Sequence, residues 1–163
     1  MSDSRLKLVY FFENRHPPEL RSLIREWLAK EDFSVEEVSY ADSKSTQAAA
    51  MKQAEAAFFA PGRYLEDDVI HAGKSLRLMQ LWSSGFDKFN VCAATRAGIP
   101  VANNGGANRI AVAEHAIMLM LAVFKKLPEY HDRALKGRWA GNKHGMDLYT
   151  LHGKTLGVIG LGA

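Results

Sequence analysis

The sequence from Asn103 to Lys126 reads NNGGANRIAVAEHAIMLMLAVFKK, and the rest of the chain is organised around it. A polar turn, NNGG, leads into a predicted helix that begins near Asn108, a residue type that favours the N-cap. No residue from Ala116 to Phe124 is polar, so the helix is apolar on every side and needs cover all round. These nine residues are too few to cross a bilayer, which needs about 20. We therefore predict a buried helix of a soluble protein, covered by the segments before and after it.

Composition and charge restrict the classes of function. The 163 residues are 47% hydrophobic and 24% charged, which is typical of a globular protein. The net charge of +3 comes from interspersed residues rather than a basic block, so we predict no nucleic-acid partner. The single cysteine, Cys92, excludes an internal disulfide and fits a reducing cytosol, so we expect a cytoplasmic protein. We predict no apolar leader and no membrane span, and the six histidines have no metal-site spacing.

Apolar runs and amphipathic segments alternate along the first two thirds of the chain. This alternation predicts parallel βαβ units and hence an α/β fold. The predicted strands are Leu6–Phe12, Phe33–Val38, Ala57–Ala60, Leu76–Trp82 and Ile99–Ala102, with a further buried strand starting at Lys154. The predicted helices between and after them are Leu20–Leu28, Ala48–Ala56, Leu65–His71, Val91–Ala97, the central helix, and Leu127–Trp139.

The loop after the fourth predicted strand is the first candidate for chemistry. It reads SSGFDKFN from Ser83 to Asn90 and precedes a helix that Asn90 can cap and Gly98 can end. In open α/β sheets, ligands bind beyond the carboxyl ends of the strands. A turn containing serine and glycine can aim backbone N–H groups at an anion there. The alternative, a plain connecting loop, stays open on spacing alone.

Four segments together resemble a known family. They are SSGFDKFN, AATRAGIPVANNGGANRIAVAEHAIMLMLA, LKGRW and LHGKTLGVIGLGA. In order, spacing and type they are similar to the D-isomer-specific 2-hydroxyacid dehydrogenases, strongly from about Leu76 onward. The resemblance implies a flavodoxin-like substrate domain over residues 1–104. It also implies, over residues 105–163, a long hinge helix, a linker and the start of a Rossmann domain that binds NAD or NADP.

The same resemblance assigns roles to individual residues. Ser84 and Gly85 match the turn that presents backbone amides to the substrate carboxylate, and Asn108 matches an asparagine that approaches the substrate in some members. Gly160 and Gly162 match the first two glycines of the G-x-G-x-x-G dinucleotide fingerprint. The family's catalytic arginine, glutamate and histidine have no counterpart in these 163 residues, so we predict no catalytic residue within them.

The implied activity is hydride transfer between a nicotinamide cofactor and a 2-hydroxy or 2-oxo acid, with this chain alone inactive and binding no cofactor. A non-catalytic alternative, a corepressor-like regulatory protein on the same scaffold, stays open. Many members carry threonine and proline where this chain has Asn104, Gly105 and Gly106, and the turn differs at Ser84 and Phe86, so the substrate stays open too. Because the central helix loses cover without a Rossmann domain, we expect a homodimer through the hinge-helix region.

Overall fold

The computed structural model describes residues 5–60, 64–138 and 147–160. Within these residues, strands and helices alternate up to the fifth strand, and two helices follow it. The elements are β1 (Leu6–Phe12), α1 (Pro18–Ala29), β2 (Phe33–Ser39), α2 (Lys44–Gln53), β3 (Ala56–Phe59), α3 (Asp67–Ala72), β4 (Leu78–Leu81), α4 (Val91–Ala97), β5 (Val101–Ala102), α5 (Arg109–Phe124) and α6 (Leu127–Leu135).

The five strands form one parallel sheet in the order β2-β1-β3-β4-β5. This is the flavodoxin-like order, in which the chain reverses direction across the sheet between β1 and β3. The predicted α/β class and parallel sheet are confirmed, and β2 lies at one edge as its alternating pattern indicates. Parallel strands place all their carboxyl ends at the same edge of the sheet, where the βα loops meet.

Alternate residues of β1 point to two apolar layers. Val9 and Phe11 belong to a layer that includes buried residues of α2, α3 and α4. Leu8, Tyr10 and Phe12 belong to a smaller layer under α1. Because both faces of β1 are buried from Leu8 to Phe12, its sequence is a near-continuous apolar run rather than an alternating one.

The chain divides into two compact units, residues 1–105 and 106–163. The second contains α5, α6 and the segment from 147 onward, where the Tyr149 N–H donates to the Phe124 carbonyl and the two rings pack 5.9 Å apart. No residue of α5 is buried, so the prediction of a buried helix is wrong for this chain: the described residues do not supply the cover that its apolar sides need. No helix in the described ranges is long and apolar enough to span a bilayer.

Two further predictions need correction. Helix α2 begins at Lys44 instead of Ala48, because the Ser43 side chain caps it by accepting a hydrogen bond from the Thr46 N–H at 3.2 Å. The strand predicted from Lys154 does not form over the described residues 154–160, and Ile159 is fully exposed. A parallel strand is held by hydrogen bonds to neighbouring strands, and the described residues offer this segment none.

Candidate functional site

The loops that follow β4 and β5 meet at the carboxyl edge of the sheet. Strand β4 ends at Leu81 and is followed by the turn Ser83–Gly85, whereas β5 ends at Ala102 and is followed by Asn103. The two strands are hydrogen-bonded neighbours, so their loops emerge side by side. The structure therefore places the predicted turn where ligands bind in open α/β sheets.

Hydrogen bonds between the two loops fix the turn. The Ser84 hydroxyl donates to the Asn104 carbonyl at 2.7 Å, and the Asn103 side-chain amide donates to the Ser84 carbonyl at 2.7 Å. The Asn104 N–H donates to the Ser83 carbonyl at 3.0 Å, and the Ser83 hydroxyl donates to the Gly85 carbonyl at 2.7 Å. Sequence reasoning did not assign this role to Asn103 and Asn104. No local signal could have found it, because it depends on β4 and β5 being neighbours in the sheet.

Gly85 is exposed at the tip of this turn, and the fold does not require a glycine there. Its φ is not in the left-handed region. A Cβ built on it would have its nearest neighbour, a carboxylate oxygen of Asp87, at an ordinary 3.6 Å. The Gly85 N–H donates to no acceptor among the described residues. The turn therefore offers the Gly85 N–H as a free backbone donor at an exposed residue.

The helix after the turn is anchored by Asn90. Its side-chain oxygen accepts from the Ala93 N–H at 3.1 Å, which confirms the predicted cap, and its amide group donates to the Asp67 carboxylate at 2.6 Å. This hydrogen bond, with the nearby Arg96 guanidinium, lowers the pKa of Asp67. At the other end Gly98 closes α4 with φ of 71°, as predicted. Asn90 thus has a structural role in fixing the helix that follows the turn.

An aromatic wall borders the turn on the α1 side of the sheet. Trp82 immediately precedes Ser83, and its ring stacks on Phe58 with centroids 6.5 Å apart. The imidazole of His16, from the loop after β1, packs edge-on against Trp82 at 6.0 Å. The His16 Nδ1 is buried and has no hydrogen-bond partner among the described residues. Sequence reasoning passed over His16 as an isolated histidine, since only the sheet order brings it to Trp82.

Asn108 lies at the N-cap position of α5, as predicted, but its side chain makes no capping hydrogen bond. Its backbone, with φ of −104° and ψ of 9°, is outside the extended region that capping side chains favour. The expectation that the side chain caps the helix is therefore corrected. Asn108 belongs to the second compact unit, and its contact with substrate stays a prediction.

The dinucleotide fingerprint is only partly within the described residues. Gly160 has φ of 86°, and nothing lies within 4 Å of a Cβ built on it, so its backbone fits the tight turn that the first fingerprint glycine makes. Gly162 lies outside the described residues. No strand precedes Gly160 in the described segment 154–160. In the described ranges, no group of three or more His, Cys, Asp or Glu side chains could hold a metal ion.

Comparison with known proteins agrees with this geometry. Residues 9–156 match the family described as D-isomer specific 2-hydroxyacid dehydrogenase, catalytic domain. The chain is 42% identical over 99 residues to D-3-phosphoglycerate dehydrogenase of Archaeoglobus fulgidus, covering 60% of this chain and 18% of that protein. It is 32% identical over 145 residues to formate dehydrogenase of Chaetomium thermophilum, covering 85% of this chain and 39% of that protein. The chain thus spans well under half the length of these relatives.

Solved structures show the same fold. The NAD+-bound 3-phosphoglycerate dehydrogenase of Entamoeba histolytica superposes with a TM-score of 0.58 at 25% identity, covering 76% of this chain and 40% of that one. The formate dehydrogenase of Staphylococcus aureus in complex with NAD superposes with a TM-score of 0.65 at 20% identity, covering 88% of this chain and 45% of that one. From the family match over most of its length, the chain belongs to the D-isomer specific 2-hydroxyacid dehydrogenase family.

Proposed function

We propose that the protein containing this chain transfers hydride between a nicotinamide cofactor and a 2-hydroxy or 2-oxo acid, and that the turn Ser83–Gly85 binds the carboxylate of that acid. The observation that carries the proposal is the Gly85 N–H, which belongs to an exposed residue of a hydrogen-bonded turn at the carboxyl edge of the sheet and has no acceptor among the described residues. A carboxylate is the acceptor that such a donor suits, since a hydrogen bond to a charged group is stronger than one to a neutral group.

The hydrogen bonds around Ser84 prepare the turn for a ligand. Because Asn103 and Asn104 hold Ser84 from the neighbouring loop, the Gly85 amide does not have to be ordered when an anion arrives. Preorganised donors stabilise charge at little reorganisation cost. The glycine leaves the surroundings of the donor open, because a side chain at this exposed position would occupy space beside the N–H.

We infer that the protein containing this chain uses NAD or NADP, and that Gly160 and Gly162, which match the first two glycines of the fingerprint, contribute to binding it. The cofactor supplies or accepts the hydride when bound. Two relatives of known structure are described as NAD-bound, which supports NAD. The chain's own contribution is to bind and orient the acid through the turn at Gly85.

Titration of the ¹⁵N-labelled chain with pyruvate tests carboxylate binding directly. We expect the largest amide shift at Gly85, at millimolar acid. The variant Gly85→Val should abolish the shift without unfolding the protein, because a Cβ there meets nothing closer than 3.6 Å. Gly157→Val is a matched control in the other unit, where a Cβ meets nothing within 4 Å. Shifts spread over the surface, or unchanged binding by Gly85→Val, would refute the assignment.

Activity is tested in two polypeptides. The 163-residue chain should show neither turnover of NADH with 2-oxo acids nor tight NAD binding, since the family's catalytic arginine, glutamate and histidine are not among its residues. The whole protein should oxidise NADH with a 2-oxo acid, and Gly85→Val should raise its KM at least about tenfold, in line with a charge-assisted hydrogen bond and a blocked approach. Turnover by the short chain, or none by the whole protein, would contradict the proposal.

We also propose that the chain forms a homodimer through the hinge-helix region. Apolar side chains of α5 are exposed on several sides, among them Ile110, Val112, Ile117, Leu119 and Val123. Exposed apolar area of this extent favours association. Light scattering at micromolar concentration should show a dimer that Ile117→Lys weakens at least about tenfold, because a charge is then desolvated at the contact. Trp27→Lys, at an exposed apolar residue of α1, is the control and should have no such effect.

A further inference from the structure

His16 packs against the aromatic side chains beside the turn and has no hydrogen-bond partner for its buried Nδ1 among the described residues. His16 lies after β1, and its imidazole reaches across the sheet edge to Trp82, the residue that precedes the turn. It forms no ion pair and no side-chain hydrogen bond with any described residue. A histidine held only by packing against an aromatic ring is available to bind something else.

The backbone around His16 is rigid. The His16 N–H donates to the Glu13 carbonyl at 3.1 Å, and Pro17 and Pro18 follow directly. A residue before proline is restricted to extended conformations, and Pro17 itself is extended with φ of −53° and ψ of 137°. The imidazole is therefore carried by a conformationally restricted part of the loop, directly before α1.

The two ring nitrogens of His16 have different surroundings. Nδ1 is buried and has no hydrogen-bond partner among the described residues, so a proton there would be a buried donor without an acceptor. With the proton on Nε2, that nitrogen is an N–H donor. The described residues include no acceptor for this donor, and Nε2 is not among their buried unpaired atoms.

We propose that His16 selects the substrate: its Nε2–H donates a hydrogen bond to an oxygen on the third carbon of the 2-oxo acid whose carboxylate is bound at Gly85. The inference rests on the proposed carboxylate site. It assigns the distal part of the acid to the side of the turn bordered by Trp82 and Phe58. The preferred class is then the 3-hydroxy-2-oxo acids over 2-oxo acids with an unsubstituted alkyl chain.

A competing path for the distal group lies on the other side of the turn. An apolar cavity of about 200 Å³ is lined by Leu81, Phe86, Val91, Val101 and Asn103. An acid that extended into this cavity would be selected for an alkyl chain, and His16 would have no influence. The two paths therefore make opposite predictions about a hydroxyl group on the acid.

The test compares hydroxypyruvate with pyruvate on the ¹⁵N-labelled chain, with the Gly85 amide and the Trp82 indole N–H as reporters. The wild type should bind hydroxypyruvate about fivefold more tightly, the effect of one neutral hydrogen bond. His16→Phe keeps an aromatic ring against Trp82 and should lose this preference while the Gly85 shift remains. His16→Gln keeps a donor and should retain part of the preference. His71→Phe, on α3 at the opposite face of the sheet, is the matched control and should behave as the wild type.

The outcomes separate this inference from the proposed function. A Gly85 shift with equal affinities for the two acids, or a preference that His16→Phe leaves intact, overturns the role of His16 and leaves carboxylate binding standing. A preference for pyruvate assigns the distal group of the acid to the apolar cavity, and this result also overturns the role of His16. If neither acid shifts the Gly85 amide, the carboxylate site fails, and the role of His16 fails with it. Amide spectra of each variant show directly whether it is folded.

Discussion

In the first unit, residues 1–105, Met79 of β4 is 0% exposed, whereas in the second unit, residues 106–163, Met118 of α5 is 49% exposed. Both side chains belong to largely apolar stretches, LRLMQLW and AIMLMLAVF. Strand β4 is flanked by β3 and β5 and covered by α3 and α4, all from the same 105 residues. Helix α5 has no buried residue at all. Apolar sequence therefore leads to burial only where the chain also supplies the partner surface.

The difference has consequences for stability. Burying apolar surface is the main favourable term in folding, at roughly 25 cal/mol per Å². The first unit gains it through two apolar layers, one on each face of the sheet. Helices α5 and α6 gain little, and isolated helices of this length are marginal in water. We therefore expect the second unit to open locally at a low free-energy cost, while the first unfolds as one cooperative body.

The largest expected effect comes from a matched pair of methionine substitutions. Met79→Ala removes a fully buried side chain and should lower the free energy of unfolding by about 2–5 kcal/mol, the cost of lost burial plus the cavity. Met118→Ala should change it by less than about 0.5 kcal/mol in the monomer. Urea unfolding followed by circular dichroism measures both. Equal losses would show that α5 is covered in solution, and a loss by Met118→Ala that grows with protein concentration would assign the cover to a second copy.

Glycines that end helices allow a second, smaller comparison. Gly98 after α4 and Gly137 after α6 have φ of 71° and 64°, and neither has a heavy atom within 4 Å of a built Cβ. Alanine at either site costs about 1 kcal/mol of local strain, because only the backbone conformation is unfavourable. We expect Gly98→Ala to lower the free energy of the main unfolding transition by about 1 kcal/mol.

Gly137→Ala should leave the same transition unchanged, since α6 has no buried residue that ties it to the sheet. Its effect should instead be seen as faster amide hydrogen exchange within α6. A shift of the main transition by Gly137→Ala would mean that the two units unfold together, and the contrast between them would then be lost.

Much of the first unit could be predicted because its signals are local. The run LKLVYFF gave β1 with its full extent, and Asn90 and Gly98 marked both ends of α4. The start of α2 was missed because Ser43 and the polar residues after it read as a loop, although serine is a common N-cap. The candidate turn was found from its position after a strand and from the family resemblance.

The rest depended on contacts between distant residues. Two features of the site require the sheet order, which no local pattern gives. One is the pair of hydrogen bonds that Ser84 forms with Asn103 and Asn104, and the other is the ring contact of His16 with Trp82. The strand predicted from Lys154 failed for the same reason, since a parallel strand is stable only beside its neighbours. The burial of α5 was predicted from its composition alone, and composition does not say whether a partner is present.

The smallest expected effect concerns ion pairs, which the two units again use differently. Glu37 of β2 is 17% exposed and accepts hydrogen bonds from Arg25 at 2.6 Å and Arg21 at 2.9 Å, both on the helix that covers it. Glu129 pairs with Arg133 one turn along α6, on the surface of a helix without buried residues. Exposed pairs of the second kind contribute about 0–1 kcal/mol.

Acid should therefore destabilise the first unit through Glu37. Its hydrogen bond from Arg25, reinforced by Arg21, lowers its pKa in the folded state, so its contribution is fully present above the unfolded value of about 4.3 and is lost as the pH falls through the folded pKa. Glu37→Gln should cost about 1 kcal/mol at neutral pH and flatten the dependence of stability on pH below about 5. Glu129→Gln should change neither the free energy of unfolding at neutral pH nor its dependence on pH. Urea unfolding at several pH values measures both variants. If both variants keep the full acid dependence, other carboxylates cause it, and the link between α1 and the sheet edge is weaker than its hydrogen bonds indicate.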